Sequence, residues 1–143
     1  MEPLEKLSRR QVEALSAVRQ GERPPKGVPL RVIAKALRVT SPSALDHLTV
    51  LEELKLVERY RGKSRLTKRG SACLAEYRRH HRVAESLFQR AGLSPQETCS
   101  AAREIDLALS HETVDQLCRA EGHPKVCPHG APIDPCDANV REN

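Results

Sequence analysis

Aromatic residues are scarce in this 143-residue chain, which has two tyrosines, one phenylalanine and no tryptophan. A core must therefore be built from leucine, valine, isoleucine and alanine, which favours packed helices over a β-sandwich. Long apolar runs are also missing, since none approaches the roughly eighteen residues that cross a membrane. No charged and then apolar leader opens the chain, and we expect a cytoplasmic protein with no membrane partner.

Positive charge is concentrated in the middle of the chain. The formal net charge is +5, and the segment 55–82 holds ten lysines and arginines against two glutamates. Such an excess permits nucleic-acid binding without proving it. No set of nucleophile, base and orienting group stands out, so the sequence does not predict an enzyme.

Residues 30–70 have the pattern of a winged helix-turn-helix. Apolar periodicity predicts helices over 30–37 and 43–55, with Ser41 as the N-cap of the second and Pro42 at its first position. Two short strands, 56–60 and 64–67, follow around a turn at Gly62. Two helices joined by a short turn and followed by a basic hairpin are typical of DNA-binding domains. The alternative is a helical hairpin whose charges are merely solvated.

This arrangement predicts the side chains that contact double-stranded DNA. The second helix would present polar groups to the major groove, and the hairpin cations would bind phosphate or enter the minor groove. The predicted contacts are Thr40, Ser41, Pro42, Ser43, Asp46, His47, Arg59, Arg61, Lys63 and Arg65.

Helical patterns flank this unit on both sides. We expect a first helix over 5–20, a long helix from a Thr67 cap to residue 91, a helix that begins after Ser94 and another over 111–120. Six glycines and prolines after residue 121 forbid regular helix there. We expect that tail to stay disordered unless something ties it down.

The second half of the chain concentrates soft metal ligands. Cys99, Cys118, Cys127 and Cys136 lie there, and His129 follows Cys127 by two residues. A cytosolic chain keeps its thiols reduced, so these cysteines can bind tetrahedral zinc or an iron–sulfur cluster. Their spacing matches no standard cluster motif, and inert structural thiols are the alternative.

Several motifs, in the same order along residues 5–135, resemble the diphtheria-toxin-repressor and manganese-transport-regulator family. They are VTSPSA at 39–44, LEELKLV at 51–57, LTKRG at 66–70, RHHRVAE at 79–85, ALS at 108–110 and CPHGAPI at 127–133. The resemblance implies a homodimeric, metal-activated transcriptional regulator that binds palindromic operators, in the short form without an SH3-like domain. It also implies a mainly α fold: a winged helix-turn-helix at 1–70, a helical dimerisation and metal-binding domain at 71–122 and a Cys/His/Pro-rich tail at 123–143.

The resemblance also implies metal ligands. It places them at His81 and Glu85, which share one helix face, at Cys99, and at Asp106. A thiolate at Cys99 favours Fe²⁺, Zn²⁺ or Co²⁺ over Mn²⁺. The family's other metal site lacks most of its ligands here, because residues that cannot ligate a metal occupy the expected positions. Those positions are Arg10, Arg103 and Leu107. In the first helix only Glu13 remains as a possible ligand.

The sequence thus predicts a metal-responsive regulator that acts as a repressor and responds to iron or manganese, with Zn²⁺ or Co²⁺ as alternative ions. One alternative keeps the fold but senses redox state through thiols or an iron–sulfur cluster. Another is a small metal-binding carrier protein.

Overall fold

The computed structural model describes residues 2–136, which fall into two compact units. The first covers residues 2–75 and the second begins at Glu76, so the division lies inside one long helix. The predicted boundary at residue 70 lies shortly before it. The elements of the first unit are α1 (Glu2–Glu5), α2 (Arg9–Gly21), β1 (Val28–Pro29), α3 (Leu30–Leu37), α4 (Ser41–Glu53), β2 (Val57–Tyr60), β3 (Lys63–Leu66) and the start of α5 (Lys68–Arg90).

The first helix differs from the prediction of one helix over 5–20. Ser8 ends that continuity, because its hydroxyl accepts from the Gln11 backbone N–H while the Gln11 side chain accepts from the Ser8 N–H. This capping box starts α2 at Arg9 and leaves α1 as a separate turn.

Helices α3 and α4 form the predicted helix-turn-helix. Arg38, with φ of 56°, ends α3 in the left-handed conformation, and α4 then begins at Ser41. The prediction of Ser41 as the N-cap is wrong by one residue: Thr40 caps the helix, with its hydroxyl accepting from the Ser43 N–H at 3.3 Å. Ala44, Leu48 and Leu51 are buried in the core, as the apolar periodicity of α4 predicts.

The wing is a three-stranded antiparallel sheet in the order β1-β3-β2. Arg61 and Gly62 have φ of 50° and 74° and make the predicted hairpin turn between β2 and β3. The sequence did not predict β1, in which Val28 pairs with Ser64 and Pro29 with Lys63. Proline lacks an N–H to donate, and an edge strand two residues long tolerates it.

The second unit contains the rest of α5 together with α6 (Pro95–Ile105) and α7 (His111–Ala120). Both predicted caps are confirmed: Ser94 forms a capping box with Glu97, and the Ser110 hydroxyl accepts from the Thr113 N–H. The buried core of this unit joins residues from α5, α7 and the C-terminal segment, namely Val83, Val114, Cys118, Cys127, Ile133 and Cys136.

The segment after α7 is ordered as far as residue 136 without regular secondary structure. Backbone hydrogen bonds close it into a narrow loop, from Cys127 N–H to Ala131 C=O and from Ile133 N–H to Lys125 C=O, both at 2.9 Å. Arg82 donates to the carbonyl of Pro132 at 2.7 Å and fastens the loop to α5. The rest of the predicted tail, 137–143, lies outside the described residues.

Across residues 2–136, no helix combines the length and the apolar character that crossing a membrane requires.

Candidate functional site

A compact group of metal-ligating atoms lies between α5 and α6. His81 Nε2 is 3.4 Å from Glu85 Oε1 and 3.6 Å from Cys99 Sγ, and the three donor atoms all lie within 4.8 Å of one another. Helix geometry explains the first pair, because residues four apart on α5 stand on one face. Cys99 reaches them from the first turns of α6. The structure therefore brings together three of the predicted ligands, and we name them the His81 centre.

The fourth predicted ligand, Asp106, has a different place. Its Oδ2 lies 2.8 Å from Nδ1 of His81, on the side of the ring away from Glu85 and Cys99, and also accepts from the Tyr77 hydroxyl at 2.9 Å. The Asp106 side chain is fully buried. A carboxylate on one ring nitrogen fixes the tautomer and leaves the other nitrogen with its lone pair for a metal. In this arrangement Asp106 positions His81.

The distances in the His81 centre suit a tetrahedral ion. Around tetrahedral zinc, with ligand bonds of about 2.1 Å to nitrogen or oxygen and 2.3 Å to sulfur, donor atoms lie about 3.4 Å (N to O) and 3.6 Å (N to S) apart. The observed separations are 3.4 and 3.6 Å. One imidazole, one carboxylate and one thiolate fit a divalent transition metal, and they leave a coordination position open.

The second oxygen of Glu85 contacts the C-terminal loop. Glu85 Oε2 lies 2.8 Å from Nδ1 of His129, a hydrogen-bonding distance, and Cys127 Sγ is within 4.8 Å of both groups. Glu85 is buried, with 2% of its surface exposed. The carboxylate thus links the His81 centre to Cys127 and His129, two further predicted ligands.

The predicted DNA-contacting residues of α4 lie at its start and along one side. Thr40, Ser41, Pro42 and Asp46 are exposed, whereas Ser43 and His47 are half-buried. The Thr40 hydroxyl is occupied by its cap bond.

The four predicted cations of the wing divide into paired and unpaired ones. Arg59 lies 3.7 Å from Glu52, and Arg65 lies 3.3 Å from Glu58. Among the described residues Arg61 and Lys63 have no ion pair.

An exposed aromatic residue in the wing was missed by the sequence analysis. Tyr60 is 73% exposed, and the Arg61 guanidinium stands over its ring at 5.2 Å from the centroid. One of only three aromatic residues in the chain, placed next to the hairpin turn, was the available signal.

Comparisons with known proteins agree with this fold. A family model described as the iron dependent repressor, metal binding and dimerisation domain, matches residues 67–135. An uncharacterized HTH-type transcriptional regulator from Aeropyrum pernix is 34% identical over 113 residues, which make up 78% of this chain and 62% of that protein.

Solved structures also show a similar fold. The structure of T. acidophilum IdeR is similar with a TM-score of 0.65 and 26% identity, over 89% of this chain and 59% of that one. A hypothetical protein from Sulfolobus solfataricus is similar with a TM-score of 0.84 and 29% identity, over 90% of this chain and 99% of that one. Residues 67–135 thus belong to the iron dependent repressor family, and the chain as a whole is similar to regulators of the diphtheria-toxin-repressor type.

Within this family the chain departs from the expected ligands of the other metal site. Arg10 extends its guanidinium to Glu13 Oε2 at 3.3 Å and to the carbonyl of Leu37 at 3.1 Å. A fixed cation beside Glu13 opposes metal binding there. The ligand positions at Arg103 and Leu107 carry a guanidinium and an aliphatic side chain.

The four late cysteines do not converge. Cys99 belongs to the His81 centre and Cys127 to the Glu85–His129 group, whereas Cys118 and Cys136 form a third group with His123. A site that uses all four cysteines, as considered from the sequence, is not formed among residues 2–136. His123 was not predicted as a ligand; its spacing of five residues from Cys118, across a helix end, was the available signal.

Two groups near these clusters have shifted pKa values. Burial raises the pKa of the Cys118 thiol, and the neighbouring Cys136 raises it further.

Burial by itself would raise the pKa of Glu76, but contact with His80 and the charge of His111 lower it below its usual value. Glu76 Oε1 lies 3.6 Å from His80 and 2.8 Å from His111, in a further imidazole–carboxylate cluster that the sequence analysis did not predict.

Proposed function

We propose that this chain is a homodimeric, metal-responsive transcriptional regulator that binds a near-palindromic DNA operator and acts as a repressor. The observation that carries the proposal is the His81 centre: an imidazole at tetrahedral distances from a carboxylate and a thiol, oriented by the buried carboxylate of Asp106. It occurs in a chain that also contains a winged helix-turn-helix. The chain spans 62% of the Aeropyrum relative, whose description as an HTH-type transcriptional regulator supports the proposal.

His81, Glu85 and Cys99 would hold the signalling ion, a divalent transition metal that supplies positive charge to a buried carboxylate and a half-buried thiol. We propose Fe²⁺, because a thiolate at Cys99 disfavours Mn²⁺ and the family model is that of iron-dependent repressors. Asp106 would keep the imidazole in the ligating tautomer.

On DNA, α4 would enter the major groove and the wing would lie along the backbone. The exposed side chains at the start of α4 and the unpaired cations Arg61 and Lys63 support this docking. In a homodimer the two recognition helices would meet successive major grooves, which explains a near-palindromic site. The ion would shift the population of the dimer toward the DNA-competent spacing.

A DNA selection experiment tests the proposal. Random duplexes are selected on the full chain with Fe²⁺ under anaerobic conditions, and binding of the selected duplex is then followed by fluorescence anisotropy with and without metal. We expect a near-palindromic sequence, with affinity that rises on adding Fe²⁺ in the wild-type chain and in Cys73→Ala but not in His81→Ala or Cys99→Ser. Cys73 is a buried cysteine outside every ligand group and therefore serves as the matched control. Salt-sensitive binding without sequence preference would instead support a metal-binding carrier with a basic surface.

A further inference from the structure

A second set of soft ligands lies apart from the His81 centre, where the C-terminal loop returns to the end of α7. Nδ1 of His123 lies 3.7 Å from Cys118 Sγ and 3.5 Å from Cys136 Sγ. The three donor atoms all lie within 4.8 Å of one another. Both cysteines are 1% exposed, so the two sulfurs are withdrawn from bulk water.

The backbone explains how His123 comes to face Cys118. Helix α7 ends at Ala120, and Gly122 and His123 then take left-handed conformations with φ of 75° and 55°. This reversal lets the His123 N–H donate to the Cys118 carbonyl at 2.8 Å. Left-handed residues are common just after a helix end, where they turn the chain back toward the last turn of the helix.

The third ligand arrives from the end of the described chain. Arg79 on α5 donates from Nε to the carbonyl of Asp134 at 3.2 Å and pairs through a second nitrogen with Asp115 at 2.6 Å. Together with the Arg82 bond to Pro132, this contact directs residues 132–136 back toward α7. Cys136 thereby meets Cys118 although the two lie far apart in sequence.

The two nitrogen–sulfur separations are those of a tetrahedral zinc site. Nitrogen and sulfur ligands of tetrahedral zinc lie about 3.6 Å apart, for bonds of about 2.1 and 2.3 Å. The observed separations of 3.7 and 3.5 Å lie on either side of that value. Two thiolates also neutralise a divalent cation, which removes most of the electrostatic penalty of burying it.

We propose that Cys118, His123 and Cys136 bind a zinc ion that fastens the C-terminal loop to α7, separately from the signalling ion. Two thiolates and an imidazole make a softer ligand set than that of the His81 centre, and they select Zn²⁺ over Mn²⁺ or Fe²⁺. The described part of the loop contains no helix or strand, and a zinc ion between residues 118 and 136 would add a cross-link to the arginine contacts that hold it. Water or an added thiol can fill the fourth position.

The role of this zinc ion is structural. By holding the C-terminal loop, it also affects the His81 centre. The loop carries His129, whose Nδ1 contacts Glu85 of the His81 centre at 2.8 Å. Loss of the zinc ion would therefore release His129 from Glu85. The proposal does not depend on the DNA-binding role, because zinc content and loop order are measured without DNA.

The test uses the full chain carrying Cys99→Ser, so that the His81 centre contributes no sulfur. This chain is purified anaerobically with Zn²⁺, and its zinc content is measured by mass spectrometry after gel filtration. We expect about one retained zinc ion per chain, and its loss on adding Cys118→Ser or Cys136→Ser. Adding Cys73→Ala instead provides the matched control and should keep the zinc. Equal zinc content in all of these chains would overturn the proposal.

A second measurement tests the proposal without substituting the zinc ligands, in case those variants do not fold. The zinc-loaded Cys99→Ser chain is treated with a chelator, and tryptic cleavage after the exposed Lys125 in the loop is timed against the untreated protein. We expect faster cleavage once zinc is removed and recovery of resistance when Zn²⁺ is restored. Unchanged cleavage, or a Cys118–Cys136 disulfide found by mass spectrometry in the anaerobic protein, would contradict a zinc site.

Discussion

Nδ1 of His81 lies 2.8 Å from Oδ2 of the buried Asp106, and this contact decides which imidazole nitrogen faces Glu85 and Cys99. Tyr77 donates its hydroxyl to the same carboxylate oxygen and holds it in place. Asp106, directly after α6, thus contacts His81 on α5, and the other ring nitrogen of His81 faces Glu85 and Cys99. Asp106 affects metal binding through the orientation of His81.

Asp106→Asn should therefore weaken metal binding without abolishing it. The amide is isosteric but uncharged, and loss of such an outer carboxylate lowers metal affinity about 10- to 100-fold. Competition titration with a fluorescent chelator measures the affinity, with Glu104→Gln, an exposed acid on the same helix, as the control. If Asp106→Asn abolished binding as fully as His81→Ala, Asp106 would instead be a direct ligand.

Thr40→Ala should destabilise the first unit more than Ser41→Ala. Removal of an N-cap hydroxyl costs about 1 kcal/mol, whereas the exposed Ser41 makes no cap bond. Chemical denaturation of both variants gives the two free energies of unfolding. The reverse order would place the cap at Ser41, as the sequence pattern alone predicts.

Gly70→Ala should be among the most destabilising substitutions in the chain. A Cβ on Gly70 would lie 1.9 Å from the carbonyl oxygen of Leu56, so α5 would have to move away from the start of the wing. Overpacking of this kind costs about 3 kcal/mol. Gly62→Ala, with open space around the Cβ but a φ of 74°, should cost only about 1 kcal/mol. Equal thermal shifts in the two variants would show that α5 tolerates the added methyl group.

Lys63→Ala should weaken DNA binding about equally on specific and nonspecific duplexes. Loss of one phosphate contact reduces the slope of log affinity against log salt by about 1. Arg65→Ala should have a smaller effect, because Arg65 already pairs with Glu58. Arg119→Ala, an exposed cation on α7, is the control and should leave the slope unchanged. A loss confined to one base position would instead make Lys63 a base-reading residue.

Anaerobically purified protein should contain no acid-labile sulfide. The described groups of ligands bring together at most two cysteines, whereas the common clusters use four thiolates. Sulfide analysis with an absorption spectrum is the measurement. Stoichiometric sulfide with visible absorption would favour the redox-sensing alternative and require a rearrangement of the second unit.

Local signals in the sequence predicted most of the secondary structure. Ser94 and Ser110 lie directly before apolar-periodic segments, and both cap helices at the predicted positions. The prediction of Ser41 as the N-cap of α4 was wrong. Thr40, Ser41 and Ser43 all carry hydroxyl groups, and only the backbone conformation decides which of them caps the helix. The two-residue strand β1 has no periodicity to detect; its pairing with β3 defines it.

The candidate site was only partly predictable for a related reason. His81 and Glu85 are four apart on one helix, so their proximity follows from helix geometry. The position of Asp106 on the far ring nitrogen depends on the packing of α6 against α5, which no spacing in the sequence specifies. The group of Cys118, His123 and Cys136 depends on a chain reversal and a loop closed by two arginines.

X-ray absorption at the iron edge tests most directly whether His81, Glu85 and Cys99 hold the signalling ion. The full chain first receives one equivalent of Zn²⁺, for the softer ligand set of Cys118, His123 and Cys136, and is then loaded anaerobically with Fe²⁺. Absorption at the iron edge records the iron environment alone. We expect nitrogen and oxygen scatterers with one sulfur, and loss of that sulfur in Cys99→Ser but not in Cys73→Ala. An iron environment with no sulfur, or one that keeps its sulfur in Cys99→Ser, would contradict the assignment of the His81 centre.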